Sequence, residues 1–185
     1  MLRRLIIALA AALAFSLPLI PPAPALAQEP VPHRLWLSFV TAPAPQPLLI
    51  SAFVYDGFVS GDADEGFQLY NPNGQPIDLT GWQFRSGART ATFPALTIPA
   101  RGAIWCGREA LAFRQTFGAL PACEWGADTS PETPNLTGGA LQFANTGGRL
   151  ALLRPDGQVS DAVVYKAGSA AEGGWQGAGL EPYTP

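Results

Sequence analysis

Apolar residues between Leu48 and Tyr165 come in short runs, among them LLISAFVY, GFQLY, GWQF, TATF, ALTI, GAIWC, ALQF, RLALL and QVSDAVVY. Within them the period is two: Phe67 and Leu69 alternate with Gln68 and Tyr70, and Trp82 and Phe84 with Gln83 and Arg85. That is the pattern of half-buried strands. Turn residues separate the runs, as in Asn73-Gly74, Ser86-Gly87, Arg101-Gly102 and Pro155-Asp156-Gly157. The stretch YNPNGQPIDLTG is dense in such chemistry: Asn73-Gly74 offers positive φ angles, Pro76 fixes its own φ, and Asp78 and Thr80 can bond nearby backbone. It predicts a shaped connection and not a flexible spacer. RLALLRPDGQVSDAVVY predicts a β-hairpin around its Pro-Asp-Gly turn. Leu150 and Leu152 fall on one face and Ala151 and Leu153 on the other, so the hairpin is expected to be central in its sheet. One stretch departs from period two. REALAFRQTF, Arg108 to Phe117, holds good helix formers, sets Ala110, Phe113 and Phe117 on one side, and is ended by Gly118 and Pro121. Short strands at this spacing with a single helix predict an antiparallel β-sandwich or barrel, the helix covering one end or edge.

The flanks carry a different pattern. Residues 28–47 are proline-rich, and TAPAPQP admits neither helix interior nor central strand, so a linker is expected there. Residues 167–185 return to Gly, Ala and Pro. Trp175, Leu180 and Tyr183 are nevertheless more apolar than a solvated tail needs, which suggests a segment that docks back on the sandwich or leads into a further domain. The tail glycines do not follow a strand and open a helix, as a dinucleotide site requires. At the N-terminus, Arg3 and Arg4 precede an apolar run to Ile20, and Ala25-Leu26-Ala27 supplies the small residues of a cleavage site. Residues 1–27 thus read as a secretory signal peptide cleaved after Ala27. The alternative is an uncleaved anchor, for which the run falls short of roughly 20 residues and is broken by Pro18, Pro21 and Pro22. No Cys follows the cleavage site to carry a lipid.

Cleavage would discard two arginines and no acid, moving the formal charge from -3 to -5. Lys166 is the only lysine. A chain of this charge has no electrostatic footprint for a phosphate backbone, so nucleic acid is not an expected partner. Membrane contact is expected only transiently, through the signal peptide. The remaining chain suits one core.

Cys106 and Cys123 are the only cysteines. In an exported chain they can oxidise to a disulfide clipping the helix against the preceding strand, and closing such a loop adds about 3 kcal/mol; the alternative is two buried thiols that never meet. His33, the only histidine, lies in the linker. A Ser-His-Asp triad or a His-bearing metal site is unsupported, and no catalytic residue or cofactor is expected. The densest acidic cluster is DGFVSGDADEG, with Asp56, Asp62, Asp64 and Glu65 in one loop. It lacks EF-hand spacing, which leaves a weak calcium reading at Asp62, Asp64 and Glu65 beside that of a solvated loop. Trp82, Trp105 and Trp125 could form a sugar platform, but the alternation of Trp82 with Phe84 favours core packing. Asn135-Leu136-Thr137 matches the N-glycosylation pattern and reads as an exposed loop.

Taken in order, LLISAFVYDG, DEGFQLYNPNGQPIDLTGWQF, FPALTIPARGAIWC and LQFANTGGRLALLRPDGQVSDAVVY resemble the lamin tail domain, an immunoglobulin-like β-sandwich that also occurs in bacterial exported proteins. Leu69, Tyr70, Asn71, Asp78, Leu79, Gly81 and Trp82 match its "L-Y-N … D-L-S-G-W" motif. FANTGGRLALLRPDG resembles the hairpin that ends the domain. Ala52 and Gln68 stand where many relatives carry glutamate, and the helix with its two cysteines goes beyond the minimal domain. The resemblance implies an immunoglobulin-like sandwich over residues 48–166 in which the motif is structural, and a non-catalytic module. Such a module is expected to bind or position an unidentified protein, polysaccharide or envelope component outside the cytoplasm. The candidate surface is the Asp56–Glu65 loop, with the polar strip 125–140 as an adaptable neighbour. The alternatives are an accessory domain of a phospholipase D-like phosphodiesterase or nuclease, and a structural spacer without a ligand.

Overall fold

The structure, a computed structural model, describes residues 44–169, 171 and 174–181; the signal-peptide segment and His33 lie outside them. Among the described residues, eleven strands and one helix follow in order: β1 (Leu49–Val54), β2 (Gly66–Tyr70), β3 (Ile77–Asp78), β4 (Gln83–Ser86), β5 (Arg89–Thr92), β6 (Thr97–Ile98), β7 (Ala103–Gly107), α1 (Ala110–Phe117), β8 (Cys123–Glu124), β9 (Thr137–Gly138), β10 (Gly147–Leu153) and β11 (Val159–Lys166). They form an all-β sandwich. One sheet has the order β1-β2-β7-β8, the other β11-β10-β4-β5-β9, with β3 and β6 paired separately. All pairings are antiparallel except β7 with β8.

Period-two alternation decides what the sheets present to each other. Phe67 and Leu69 of β2 and Phe84 of β4 are fully buried. Phe67 and Phe84 meet face to face across the sandwich, centroids 3.7 Å apart and planes 7° from parallel. Trp125, Phe93 and Phe143 close around Phe67. The hydrophobic burial of these rings is the main adhesive between the sheets. At one seam the sheets are also clasped by polar groups: Asp161 accepts the Ile50 N–H at 2.7 Å and Ser160 donates to the Leu48 carbonyl at 3.2 Å. That seam gives side-chain partners to the Leu48 carbonyl and the Ile50 N–H on the β1 edge of its sheet.

Several expectations change here. ALQF forms no strand, although Leu141 and Phe143 are buried; the carbonyls of Gln142 and Ala140 are taken by the Ser86 hydroxyl and the Arg89 guanidinium, side chains standing in for a ladder. The β10–β11 hairpin is not central: β10 is interior, but β11 ends its sheet. Both faces are apolar because the tail covers the outer one. Gly174 packs so closely on Val159 and Ala162 that a Cβ would stand 3.0 and 3.1 Å from them, and Leu180 pairs along the β11 edge, bonding Val164 and Lys166. The linker also reaches the domain, since Asn73 accepts the Gln46 N–H and donates to its carbonyl, at 2.8 and 2.9 Å. Trp82 lies outside β4, partly buried against the core, while Trp125 is inside it.

Candidate functional site

The motif turn after β2 is built by Asn71, which is fully buried. Its amide donates to the carbonyls of Gln75 and Pro99, at 2.8 and 3.1 Å, and its Oδ1 accepts the Asn73 N–H at 2.9 Å. Neither Asn73 nor Gly74 adopts a positive φ, contrary to the expectation from the dipeptide; side-chain hydrogen bonds shape the turn instead of a left-handed backbone. Asp78 accepts both the N–H and the hydroxyl of Thr80, and these bonds hold its carboxyl below the usual range. Leu79 is fully buried, and Gly81 takes a φ of 77° ahead of Trp82. Leu69, Asn71 and Leu79 are thus buried in the scaffold, and Asp78 and Gly81 shape the chain that leads to Trp82.

The acidic loop joins β1 to β2 and is not uniformly solvated. Asp56 is exposed and Asp62 half-buried, whereas Asp64 and Glu65 are 0% and 1% exposed. Asp64 accepts the N–H groups of Phe58 and Val59, both at 3.1 Å, and the Thr116 hydroxyl at 2.7 Å. Burial alone would raise its carboxyl, but the bonds from Thr116, Val59 and Phe58 outweigh burial and hold it below the ordinary value. Charged acceptors of backbone N–H groups make strong hydrogen bonds. Gly57 is required beneath them: a Cβ there would stand 2.2 Å from an Asp64 oxygen. Asp62, at φ 56°, accepts the Gly57 N–H at 3.2 Å. Glu65 has one partner of opposite charge, Arg108, at 3.5 Å from an Oε2 that has no hydrogen bond. Burial pushes its carboxyl up to about 8, with Asp62 and Asp64 adding to the shift and Arg108 opposing it.

Above this backbone stands Phe58, 82% exposed. Sequence reasoning singled out the loop for its acids and passed over the one aromatic it lifts into solvent. The signal was present in DGFVSGD, an apolar residue amid turn and acidic residues.

Beside the loop, α1 packs on the outer face of the first sheet. Gly66 and Gly107 are paired across β2 and β7, and a Cβ on either would strike Phe113 at 2.7 or 3.0 Å. The helix begins without a side-chain cap from Glu109. Glu124, buried and unremarked in the sequence, accepts the Ala110 N–H at 2.6 Å and also holds Thr129 and Ser130. A carboxylate at a helix N-terminus is electrostatically favoured. The 125–140 strip is therefore pinned at Glu124, Ser130 and Leu136, not adaptable as expected. Gly118, at φ 84°, ends the helix. Cys106 and Cys123 are joined across β7 and β8, Cα atoms 4.6 Å apart, so the bridge ties together the strands on either side of α1.

Among the described residues no three His, Cys, Asp or Glu gather in a group that could hold a metal. Comparison with known proteins bears on the frame that carries this loop. The family model of the Lamin Tail Domain matches residues 41–167. A solved structure of a DUF4876 family protein from Bacteroides thetaiotaomicron is similar over 66% of this chain and 54% of its own, at 13% identity and a TM-score of 0.51. That likeness concerns the fold, and this chain spans about half the length of its neighbour. No curated protein matches.

Proposed function

The chain belongs to the lamin tail domain family, and from that premise we propose that it is an exported, non-catalytic module that captures an envelope or extracellular component through its Asp56–Glu65 loop. The observation that carries this reading is Phe58, 82% exposed on a backbone fixed from below by the Asp64 carboxylate. An aromatic side chain presented on a pre-ordered loop loses little entropy on binding, which favours it as an anchor for a partner. Export is supported by the leader pattern and by a disulfide, a bond that persists in oxidising compartments. On this reading the mature chain starts at Gln28, which intact-mass measurement of protein recovered outside the cytoplasm would detect.

The test of capture uses the purified protein immobilised and exposed to a cell-envelope extract, with Phe58→Ser as the paired variant. Retention of a component by the wild type and its loss in Phe58→Ser, with an unchanged urea midpoint, is the expected result. Equal retention by both would remove the loop from consideration.

A further inference from the structure

The Asp56–Glu65 loop enters β2 and the Asn71 turn leaves it, so the two stand at opposite ends of that strand. At the Asn71 end, two cavities adjoin along the segment 44–48 and share Pro45, Gln46 and Ile77. The larger, about 640 Å³, is also lined by Asn73, Gln75 and Arg101. The smaller, about 270 Å³, is also lined by Trp82, Arg154 and Ser160. Together they make one groove with an arginine in each part. Among the described residues no Asp or Glu lines either part, and neither arginine side chain has a hydrogen bond or ion pair. Asp78, beside Ile77 in sequence, already accepts two bonds from Thr80. Arg101 holds a φ of 53°, a left-handed conformation that glycine adopts at lower cost. An arginine kept in that conformation, its guanidinium unpaired, suits a ligand that the chain itself does not supply.

The lining narrows the chemistry of that ligand. Two unpaired guanidinium groups call for anions, and a carboxylate matches their forked N–H donors. Ile77 and the half-buried Trp82 give apolar surface on which the C–H face of a sugar ring can lie. Gln46 and Gln75 are exposed amides, able to bond hydroxyl groups. An extended peptide is less well served, because it needs backbone partners. Pro45, Pro47 and Pro72 have no N–H to offer, and the N–H and carbonyl of Gln46 are already bonded to Asn73. We propose that this groove binds an acidic polysaccharide, with ring carboxylates at Arg101 and Arg154 and a sugar ring against Trp82. The chain as a whole has a formal charge of -3, so a polyanion is drawn only to a local cationic face. Both arginines are exposed, and their pairing with the polymer weakens as salt rises. The site is separate from Phe58 and does not depend on capture by the acidic loop.

Calorimetric titration of the purified protein with alginate oligosaccharides at low salt tests it, every sugar of alginate carrying a carboxylate. The wild type is expected to bind alginate and to ignore dextran, a neutral glucan. Arg101→Gly and Arg154→Ala should each weaken binding about fivefold, and the double variant should bind more weakly still. The urea midpoint of Arg101→Gly should stay level or rise, because glycine relieves the left-handed backbone. A midpoint that falls together with binding would make Arg101 a scaffold residue and overturn its assignment. Phe58→Ser should bind alginate as the wild type does. A wild type that does not bind alginate overturns the proposal while leaving envelope capture by Phe58 standing. Undiminished binding in the double variant overturns it too. Equal binding of poly-L-glutamate would make the groove a site for acidic peptides and overturn the polysaccharide reading.

Discussion

The turn from Asn71 to Thr80 and the loop from Asp56 to Glu65 are similar in length, and each is fixed by polar side chains buried beneath it. The side chains differ in kind. Asn71 is neutral, with donors and acceptor both used, so its hold on the turn has no proton to gain or lose. The second loop rests on two carboxyls shifted in opposite directions, Asp64 downward by hydrogen bonds and Glu65 upward by burial. A structural motif and a candidate binding loop can thus look alike as turn chemistry in sequence and behave differently in solution. The Asn71 bonds that shape the first turn carry no titrating group, the Asp78–Thr80 bonds at its end aside, whereas the hold on the second depends on pH.

The largest effect that would break this comparison is at Asn71. Asn71→Ala empties a fully buried site and leaves the Asn73 N–H and the carbonyls of Gln75 and Pro99, all part-buried, without their partner, at about 1 kcal/mol for each bond lost. A global loss of about 3 kcal/mol in urea unfolding is expected, nearly constant from mildly acidic to mildly basic pH. A loss under about 1 kcal/mol would mean that water replaces the side chain, and the turn would be no more built than the loop.

Next comes Asp64→Asn, which keeps the shape but replaces a charged acceptor by a neutral amide. The expected loss is about 2 kcal/mol, concentrated in the loop and visible as faster hydrogen exchange at the Phe58 and Val59 amides. In the wild type the same contribution is present above the ordinary Asp range and is lost as pH falls through the depressed folded value. Unchanged exchange at those two amides would show that Asp64 does not order the loop.

How much of this was legible depended on whether the signal was local. Strand alternation, the Pro-Asp-Gly hairpin, the Gly118 stop and the lamin-tail motif are local, and the sandwich and its family followed from them. The position of β11 at a sheet edge was not local, because its outer face is covered by a tail whose Gly and Ala composition resembles a linker. Glu124 was invisible for the same reason: its partners, Ala110 and Thr129, lie 14 residues before it and 5 after it. Within the candidate loop, four acids were read as one solvated group. Burial separates them, and only tertiary packing against Thr116 and Arg108 determines which pair goes inside.

Glu65 sharpens the contrast with a smaller effect of opposite sign. Its folded carboxyl, raised to about 8 from an ordinary 4.5, holds a proton that the unfolded chain releases. Stability from this group is therefore full below about pH 4.5 and is lost as pH rises through about 8. Between pH 7 and 8 that decline amounts to about 1 kcal/mol. Glu65→Gln should remove it, leaving a flatter urea midpoint over this range. A wild-type midpoint that is already flat would mean that Arg108 keeps Glu65 ionised, and the loop would then share the pH indifference of the Asn71 turn.

The smallest expected change in stability is at Phe58 itself. Its ring is open to solvent and supports no packing, so Phe58→Ser should move the unfolding free energy by no more than about 0.5 kcal/mol in either direction. The residues below Phe58 stabilise the loop, while its ring contributes almost nothing to the fold. An apolar ring held in water by a buried carboxylate is a cost without a structural return, and large exposed apolar groups tend to mark contact surfaces. A clear loss of stability in Phe58→Ser would return the ring to the scaffold and leave the loop without its anchor. An unchanged midpoint together with lost capture would place the binding role in Phe58 and the positioning role in Asp64, separating within ten residues what the Asn71 turn does with scaffold alone.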